Sequence, residues 1–306
     1  MKLQKATQIW YNGQIIPWDH ANIHVMSHIL HYGSGVFEGI RCYEVNDKSI
    51  IFRLDDHIQR LYNSASLYNM KIPFNKSDLI QGAIDIVLKN NFRQCYIRPI
   101  AFYGYDTLGV NPKKCPINVA IGVFDWGEYL GKGALTNGVK VTISKWKKFH
   151  YSSMPSTAKG CGQYMNSMLA VQDAKLKGFD EAILLNQEGY ISEGSGQNIF
   201  YIKDEKLFTN DENSSILLGI TRDCIIKLAK EFGYSITIKN ISTNDLVTAD
   251  EVFFTGTASE VTPVCKIDDN IIGTGKPGGI TLFLQEQYFK TINNQNKKFN
   301  NWLTHI

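Results

Sequence analysis

Residues 156–167 read "STAKGCGQYMNS", with one lysine, Lys159, among small residues and two glycines, and Tyr164 five positions on. By composition alone Lys159 is a solvated loop lysine. Its neighbours argue otherwise, because Ser156, Thr157, Ala158, Gly160 and Gly162 leave room for something to approach the backbone closely. A lysine becomes a Schiff-base nucleophile where its surroundings depress the ordinary pKa of about 10.4. The rest of the chain tells whether such a site exists.

The 306 residues, 43% of them hydrophobic, can bury a sizeable core and suffice for two domains. A formal net charge of +3 is too mild for a nucleic-acid binder, and the longest basic cluster is "SKWKK" at 144–148. Six dispersed cysteines form no C-x-x-C pair, which suits a reducing cytosol. The N-terminal "MKLQKATQIWYNG" has no apolar segment of signal-peptide length, and no run of roughly eighteen apolar residues occurs anywhere. The expectation is a cytoplasmic globular protein with no membrane or nucleic-acid partner.

"IWYNGQII" (9–16) reads as a hairpin, since Asn12-Gly13 supplies the positive φ angles of a type I′ turn. "SIIFRL" reads as a strand. A helix follows from about Asp55, with Ile58, Leu61, Tyr62 and Ala65 on one face, and a second runs through "SDLIQGAIDIVLKN". "CYIRPIAFYG" and "INVAIGVF" alternate as strands, and Pro99 predicts that the first is irregular or at an edge. The glycine-punctuated "WGEYLGKGALTN" (126–137) reads as a linker between a small domain, 1–125, and a larger one, 138–306. Beyond it come a strand "VKVTIS", a helix "YMNSMLAVQDAKLKG" and several short strands. "ITRDCIIKLAKEFG" is a helix with Thr221 at its start and Gly233 at its stop; a strand near "EVFFT" and a helix "ITLFLQEQYFKTI" complete the pattern. Without a steady βαβ beat, the class is α+β. The tail at 293–301 is left unassigned.

Several tempting patterns fail. "GTGKPGG" (273–279) puts Pro277 where a phosphate loop needs Ser or Thr, and "GSGVFEG" (33–39) is one residue too long for a dinucleotide fingerprint. His24, His28 and His31 lack a completing carboxylate or cysteine, so buried or capping histidines are favoured over a metal site, and no metal is expected.

Pyridoxal 5′-phosphate (PLP) is the commonest cofactor to exploit an activated lysine. It needs a carboxylate facing its pyridine nitrogen, a hydroxyl for its phenolic oxygen, donors for a phosphate and a substrate groove. "YISEGSGQNIFYI" offers Glu193 at a strand end in a Gly-Ser-Gly surround, and Tyr164 offers the hydroxyl. Thr221 opens a helix, whose N-terminal amides and dipole suit a phosphate. "FTGTASE" (254–260) adds a turn around Thr257.

Together these pieces resemble the branched-chain amino-acid aminotransferases of the fold-type-IV (D-amino-acid aminotransferase-like) PLP enzymes, the bacterial type closely. The resemblance covers nearly the whole chain, including "IWYNGQIIPW", "HVMSHILHYGSGVFEGIRCY", "YIRP", "GVNP", "TAKGCGQY", "ISEGSGQNIF", "LLGITRDCIIKLAKE" and "ADEVFFTGTASEVTPV". E-G-x-G-x-N at 193–198, Thr209 and "GITR" at 219–222 are specific to the superfamily, while "HYGSGVFEGIR" and "YIRP" favour the branched-chain enzymes.

The resemblance implies a two-domain α+β fold and ping-pong transamination of leucine, isoleucine and valine with 2-oxoglutarate. Lys159 would carry the PLP and shuttle the proton, Glu193 would pair with the pyridine nitrogen, and Tyr164 with the phenolic oxygen. Arg60, Ile220, Thr221 and Thr257 would hold the phosphate; for Arg60 this rests wholly on the resemblance, since by itself it is a helix arginine. Phe37, Gly39, Tyr96, Arg98, Trp126, Tyr129 and Ala258 would line the substrate pocket. Tyr32 and Val110 would reach in from a neighbouring subunit of a homo-oligomer, a dimer or a trimer of dimers. A D-amino-acid aminotransferase and an aminodeoxychorismate lyase would share Lys159 and Glu193. The Tyr96/Arg98 pair and the Trp126–Tyr129 segment favour the branched-chain enzyme over both. An intact lysine, acid and phosphate set argues against a non-catalytic PLP-binding protein.

Overall fold

The computed structural model describes residues 4–127 and 129–306. In the first half of the chain β1 (Gln4–Lys5), β2 (Gln8–Tyr11) and β3 (Gln14–Pro17) precede the short helix α1 (His28–Tyr32). β4 (Gly35–Phe37), β5 (Ile40–Val45) and β6 (Lys48–Phe52) follow, then α2 (Leu54–Leu67), α3 (Lys76–Lys89), β7 (Cys95–Tyr103) and β8 (Ile117–Asp125). Next come α4 (Ala134–Asn137), β9 (Val139–Ile143), α5 (Tyr164–Leu176), β10 (Glu181–Leu185), β11 (Ile191–Gly194), β12 (Asn198–Lys203) and β13 (Lys206–Thr209). The remainder is α6 (Ile220–Glu231), β14 (Ile236–Ile238), α7 (Thr243–Val247), β15 (Glu251–Gly256), β16 (Glu260–Ile267), β17 (Asn270–Ile271), α8 (Gly279–Ile292) and β18 (Leu303–His305). The class is α+β, and no helix among the described residues is long and apolar enough to cross a membrane.

Two compact units result: Met1–Gly127 with Ala158–Tyr164 and Ile292–Ile306, and Glu128–Thr157 with Met165–Thr291. The sequence predicts contiguous boundaries, whereas the first unit recruits two later segments. Backbone pairing is the reason. β18 pairs antiparallel with β6, Val36 bridges Gly160, and the Phe37 N–H donates to the Lys159 carbonyl at 3.1 Å. The break after Gly127 falls within the stretch 126–137, of which Glu128 lies outside the described residues.

The first unit is built on an antiparallel sheet of order β18-β6-β5-β7-β8-β2-β3, with β1 on β8 and β4 on β7. The β2–β3 hairpin turns through Asn12 (φ 48°) and Gly13 (φ 86°), as a type I′ turn requires. Against the sheet lie α2 and α3, whose Leu54, Ile58, Leu61, Leu79, Ala83 and Ile86 recur at helical spacing and join Val36, Ile40, Ile97 and Val119 in one core. Each of the larger side chains contributes about 1.5–3 kcal/mol by leaving water.

The expectation from Pro99 is a strand that is irregular or at an edge, and the structure corrects both, since β7 runs unbroken from Cys95 to Tyr103. β7 is central, paired with β8 on one side and with β5 and β4 on the other. The proline is tolerated because β5 pairs with Cys95–Ile97 and β4 with Ile100–Phe102, so the neighbouring strand is interrupted opposite Pro99. The interruption is Glu38-Gly39, and the Glu38 N–H donates to the Pro99 carbonyl at 2.8 Å.

The second unit carries a mixed sheet of order β11-β10-β9-β16-β15-β12-β13-β14, with β17 on β16. Its core gathers Val141, Ile183, Ile191, Ile199, Val252 and Phe254. β16, unassigned in the sequence, occupies the centre because "EVTPV" (260–264) pairs with β15 and the following Val264–Ile267 pairs with β9.

Candidate active site

In the first unit the interruption between β4 and β5, the inner strand β7 and the recruited segment 158–164 converge on Lys159. The Lys159 Nζ donates to the Tyr164 hydroxyl at 2.6 Å and lies 4.9 Å from the centre of the Phe37 ring. Its N–H donates to the Ser64 hydroxyl on α2, at 3.0 Å. Burial, and behind it the charge of Arg60, push the Lys159 amine down to about 8; Arg98 adds to this, while Glu38 and Tyr96 oppose it. The lysine is therefore partly neutral at moderate pH. Some of the small residues around it serve packing, since a side chain on Gly160 would meet the Tyr68 hydroxyl at 2.7 Å and one on Gly162 would touch the Gly33 carbonyl.

Tyr96 and Arg98 point to the same face of β7, as period-two alternation requires. The Arg98 guanidinium sits amid aromatic rings, 4.9 Å from Phe37, 5.4 Å from Tyr96 and 5.3 Å from Trp126. Its Nε is buried and makes no hydrogen bond, which leaves a donor for an incoming acceptor. Tyr96 and Trp126 meet edge to face at 4.3 Å, and Gly39 lies so close to the Tyr96 hydroxyl that a Cβ would overlap it. Tyr32 and Val110 are exposed on this unit, at 46% and 81%, and the Tyr32 hydroxyl donates to the Leu108 carbonyl. The nearby histidines are held by local hydrogen bonds: His28 contacts Ser34 and the Gly109 carbonyl, and His31 contacts the Val25 carbonyl.

Arg60, on α2 with its side chain 13% exposed, is held by a residue that belongs to no predicted role. Its Nε and Nη2 donate to the two carboxylate oxygens of Glu38 at 2.6 and 2.8 Å, and His57, one turn earlier on α2, donates to the same carboxylate at 2.7 Å. Burial pushes the Glu38 carboxyl up, but Arg60 and His57 outweigh it and hold it well below the carboxylate range. An acid beside a glycine in an otherwise apolar strand run was the available signal, the same one that marks Glu193.

The second unit carries the other expected residues. Glu193, 5% exposed on β11, accepts from the Lys148 Nζ at 2.6 Å on one oxygen. On the other oxygen it accepts from the Leu217 N–H at 3.0 Å and the Asn198 amide at 3.3 Å. Lys148 is invisible in sequence, where it merges into a basic cluster. Ile220 and Thr221 form the first turn of α6 behind Gly219, and both are buried. Thr257 and Ala258 lie in the three-residue turn between the paired Gly256 and Glu260 of β15 and β16. A Cβ on Gly196 would approach the Tyr129 hydroxyl at 4.0 Å. The Gly194–Gln197 turn is pinned from beneath: the Gln197 amide donates to buried Glu181 at 2.9 Å while its carbonyl accepts the Gly196 N–H at 3.0 Å.

Residues 35–267 match the family described as amino-transferase class IV. The chain belongs to that family. This class IV aminotransferase is 42% identical to the branched-chain-amino-acid aminotransferase of Escherichia coli (strain K12), over 100% of its own length and 99% of the relative's. The branched-chain amino acid aminotransferase of "T.th." has been solved with pyridoxamine 5′-phosphate, with N-(5′-phosphopyridoxyl)-L-glutamate and with 4-methylvaleric acid. To those structures the class IV aminotransferase is 44%, 43% and 42% identical with TM-scores of 0.95, 0.94 and 0.93, covering 98% of each chain.

Proposed function

We propose that the protein is a PLP-dependent branched-chain amino-acid aminotransferase. It exchanges the amino group of leucine, isoleucine or valine with 2-oxoglutarate, reversibly and in ping-pong order. The observation that carries the proposal is the amine of Lys159, lowered to about 8 and held at 2.6 Å on Tyr164, near a guanidinium ringed by aromatics. The solved relatives with phosphopyridoxyl-glutamate and 4-methylvaleric acid support a pocket of this kind.

The donor set fits the cofactor. A depressed lysine, a buried carboxylate with fixed orientation, a phenol at the lysine and the first turn of α6 are the groups PLP asks for. When bound, PLP supplies an aldehyde for amines to capture and a ring that accepts the electron pair of a Cα–H bond. Lys159 would hold the cofactor and would move the proton at the substrate's Cα. Glu193 would pair with the pyridine nitrogen, Tyr164 would bond the phenolic oxygen, and Arg60, Ile220, Thr221 and Thr257 would hold the phosphate. Phe37, Gly39, Tyr96, Trp126, Tyr129 and Ala258 would line the substrate pocket, with Arg98 for a distal carboxylate. Tyr32 and Val110, both exposed, enter the neighbouring site of a cytoplasmic homo-oligomer, a dimer or a trimer of dimers.

The test is an assay of the purified holoenzyme with L-leucine and 2-oxoglutarate, with D-alanine, and with aminodeoxychorismate. Turnover of leucine alone is expected. Preference for D-alanine, or pyruvate release from aminodeoxychorismate, would assign the site to another branch of the class.

A further inference from the structure

The roles above leave Glu38 unused, although it is the one acid among the described residues of the first unit that is fully buried, at 0% exposure. Its position follows from the backbone. Pro99 has no N–H to offer, the strand facing it is interrupted, and Glu38 fills the interruption. The carboxylate then accepts four donors: Arg60 Nε at 2.6 Å, Arg60 Nη2 at 2.8 Å, His57 Nδ1 at 2.7 Å and the Gly39 N–H at 3.3 Å. Arg60 is thus gripped side-on along one edge, in the geometry that fixes a guanidinium plane.

We propose that Glu38 is a positioning residue for Lys159: it clamps Arg60 along its Nε–Nη2 edge and offsets that charge, so that Lys159 works beside a compensated cation. The proposal rests on the reading of Lys159 as the working amine. The groups of this unit facing that amine are Arg60 and His57 from α2, Tyr96 and Arg98 from β7, Phe37 from β4, Tyr164 at the start of α5, Cys161 before it, and Glu38 itself. His57 does not add a charge, because burial pushes its imidazole down despite the Glu38 carboxylate. Arg60 and Glu38 therefore carry opposite charges at the site, and they act on the lysine in opposite directions. Without Glu38, Arg60 and Arg98 would act on the amine without that opposing charge.

The experiment titrates Lys159 in the apoprotein by the pH dependence of its modification with an amine-reactive reagent, read by peptide mass spectrometry. Glu38→Gln should lower the midpoint by about one pH unit, the scale set by a nearby charge, so labelling at a fixed pH below the midpoint becomes about tenfold faster. Arg60→Met should raise the midpoint, and Glu38→Asp should keep that of the parent. Loss of one partner of a buried pair is costly for folding, so the double variant Glu38→Gln/Arg60→Met is measured as well. With Arg60 absent, its midpoint should still lie below that of Arg60→Met. A Glu38→Gln midpoint that stays put or rises toward the ordinary lysine value overturns the proposal, as does equality of Arg60→Met and the double variant. Normal leucine transamination with such a result sinks this inference alone. Absence of transamination in the parent sinks the proposed activity and leaves the titration readable.

Discussion

The two units treat their central charged residue in opposite ways. In the second unit Glu193 is fully provided for, with Lys148 on one oxygen and Leu217 N–H and Asn198 on the other. In the first unit desolvation of the half-buried Lys159, and then the charges of Arg60 and Arg98, disfavour its charged form. A carboxylate with donors on both oxygens is fixed in orientation, as an electrostatic partner must be. A frustrated ammonium gives up its proton readily, as a nucleophile and base must. Local rules of stability hold around the acid and are broken around the lysine.

The sharpest way to break this contrast is Lys159→Ala. Loss of the amine should lower kcat by about a thousandfold or more, the upper range for a positioned acid–base group, and borohydride-fixed cofactor should map to Lys159 in the parent. Full turnover in the variant, or an adduct on another lysine, removes Lys159 from the reaction. Next is Glu193→Gln, which keeps the shape and removes the charge. A kcat loss of about a hundredfold or more is expected, since stabilisation of developing charge is worth roughly 3 kcal/mol, with PLP affinity changing far less. Near-native kcat would leave Glu193 a structural acid.

Arg98→Met tests how one apolar pocket accepts a second carboxylate. The unpartnered Nε offers a charge-assisted contact worth about 1.5–3 kcal/mol. Stopped-flow half-reactions should show about a 10- to 150-fold loss in kcat/KM with glutamate and only a few-fold loss with leucine. Equal losses would make Arg98 structural. The smallest effect concerns stability. The folded-state pKa of Lys159 lies below its ordinary value of 10.5, so the unfolded chain binds more protons between about 8 and 10.5 and parent stability rises with pH through that window. Lys159→Met should therefore stabilise the apoprotein below about pH 8, by at most about 3 kcal/mol and less after solvent screening, and the gain should fade toward 10.5. Denaturant titrations of both proteins across that range check the sign.

Helices α2, α3 and α6 and the β2–β3 hairpin are legible because their signals are local: apolar spacing in the helices, Asn12-Gly13 in the turn. Lys159 and Glu193 stand out as charged residues in small-residue settings that packing does not call for. What escapes is non-local. The Glu38–Arg60 clamp joins residues 22 apart and Lys148–Glu193 joins residues 45 apart, and neither partner carries a mark of the other. The rule that proline avoids inner strands fails at Pro99 because the exception depends on an interruption in a different strand.

The return of β18 to the first unit has a consequence for how the chain is made. β6 has β5 on one side and only β18 on the other, and β18 spans Leu303–His305. On a ribosome, Gly127 leaves the exit tunnel long before those residues do. At about 5–20 residues per second, the nascent first sheet waits roughly 10–35 s with the β6 backbone uncovered, a surface that invites strand pairing with other chains. The codons for Leu303–His305 thus decide when that sheet is sealed, and deleting those three residues should show first as aggregation during synthesis.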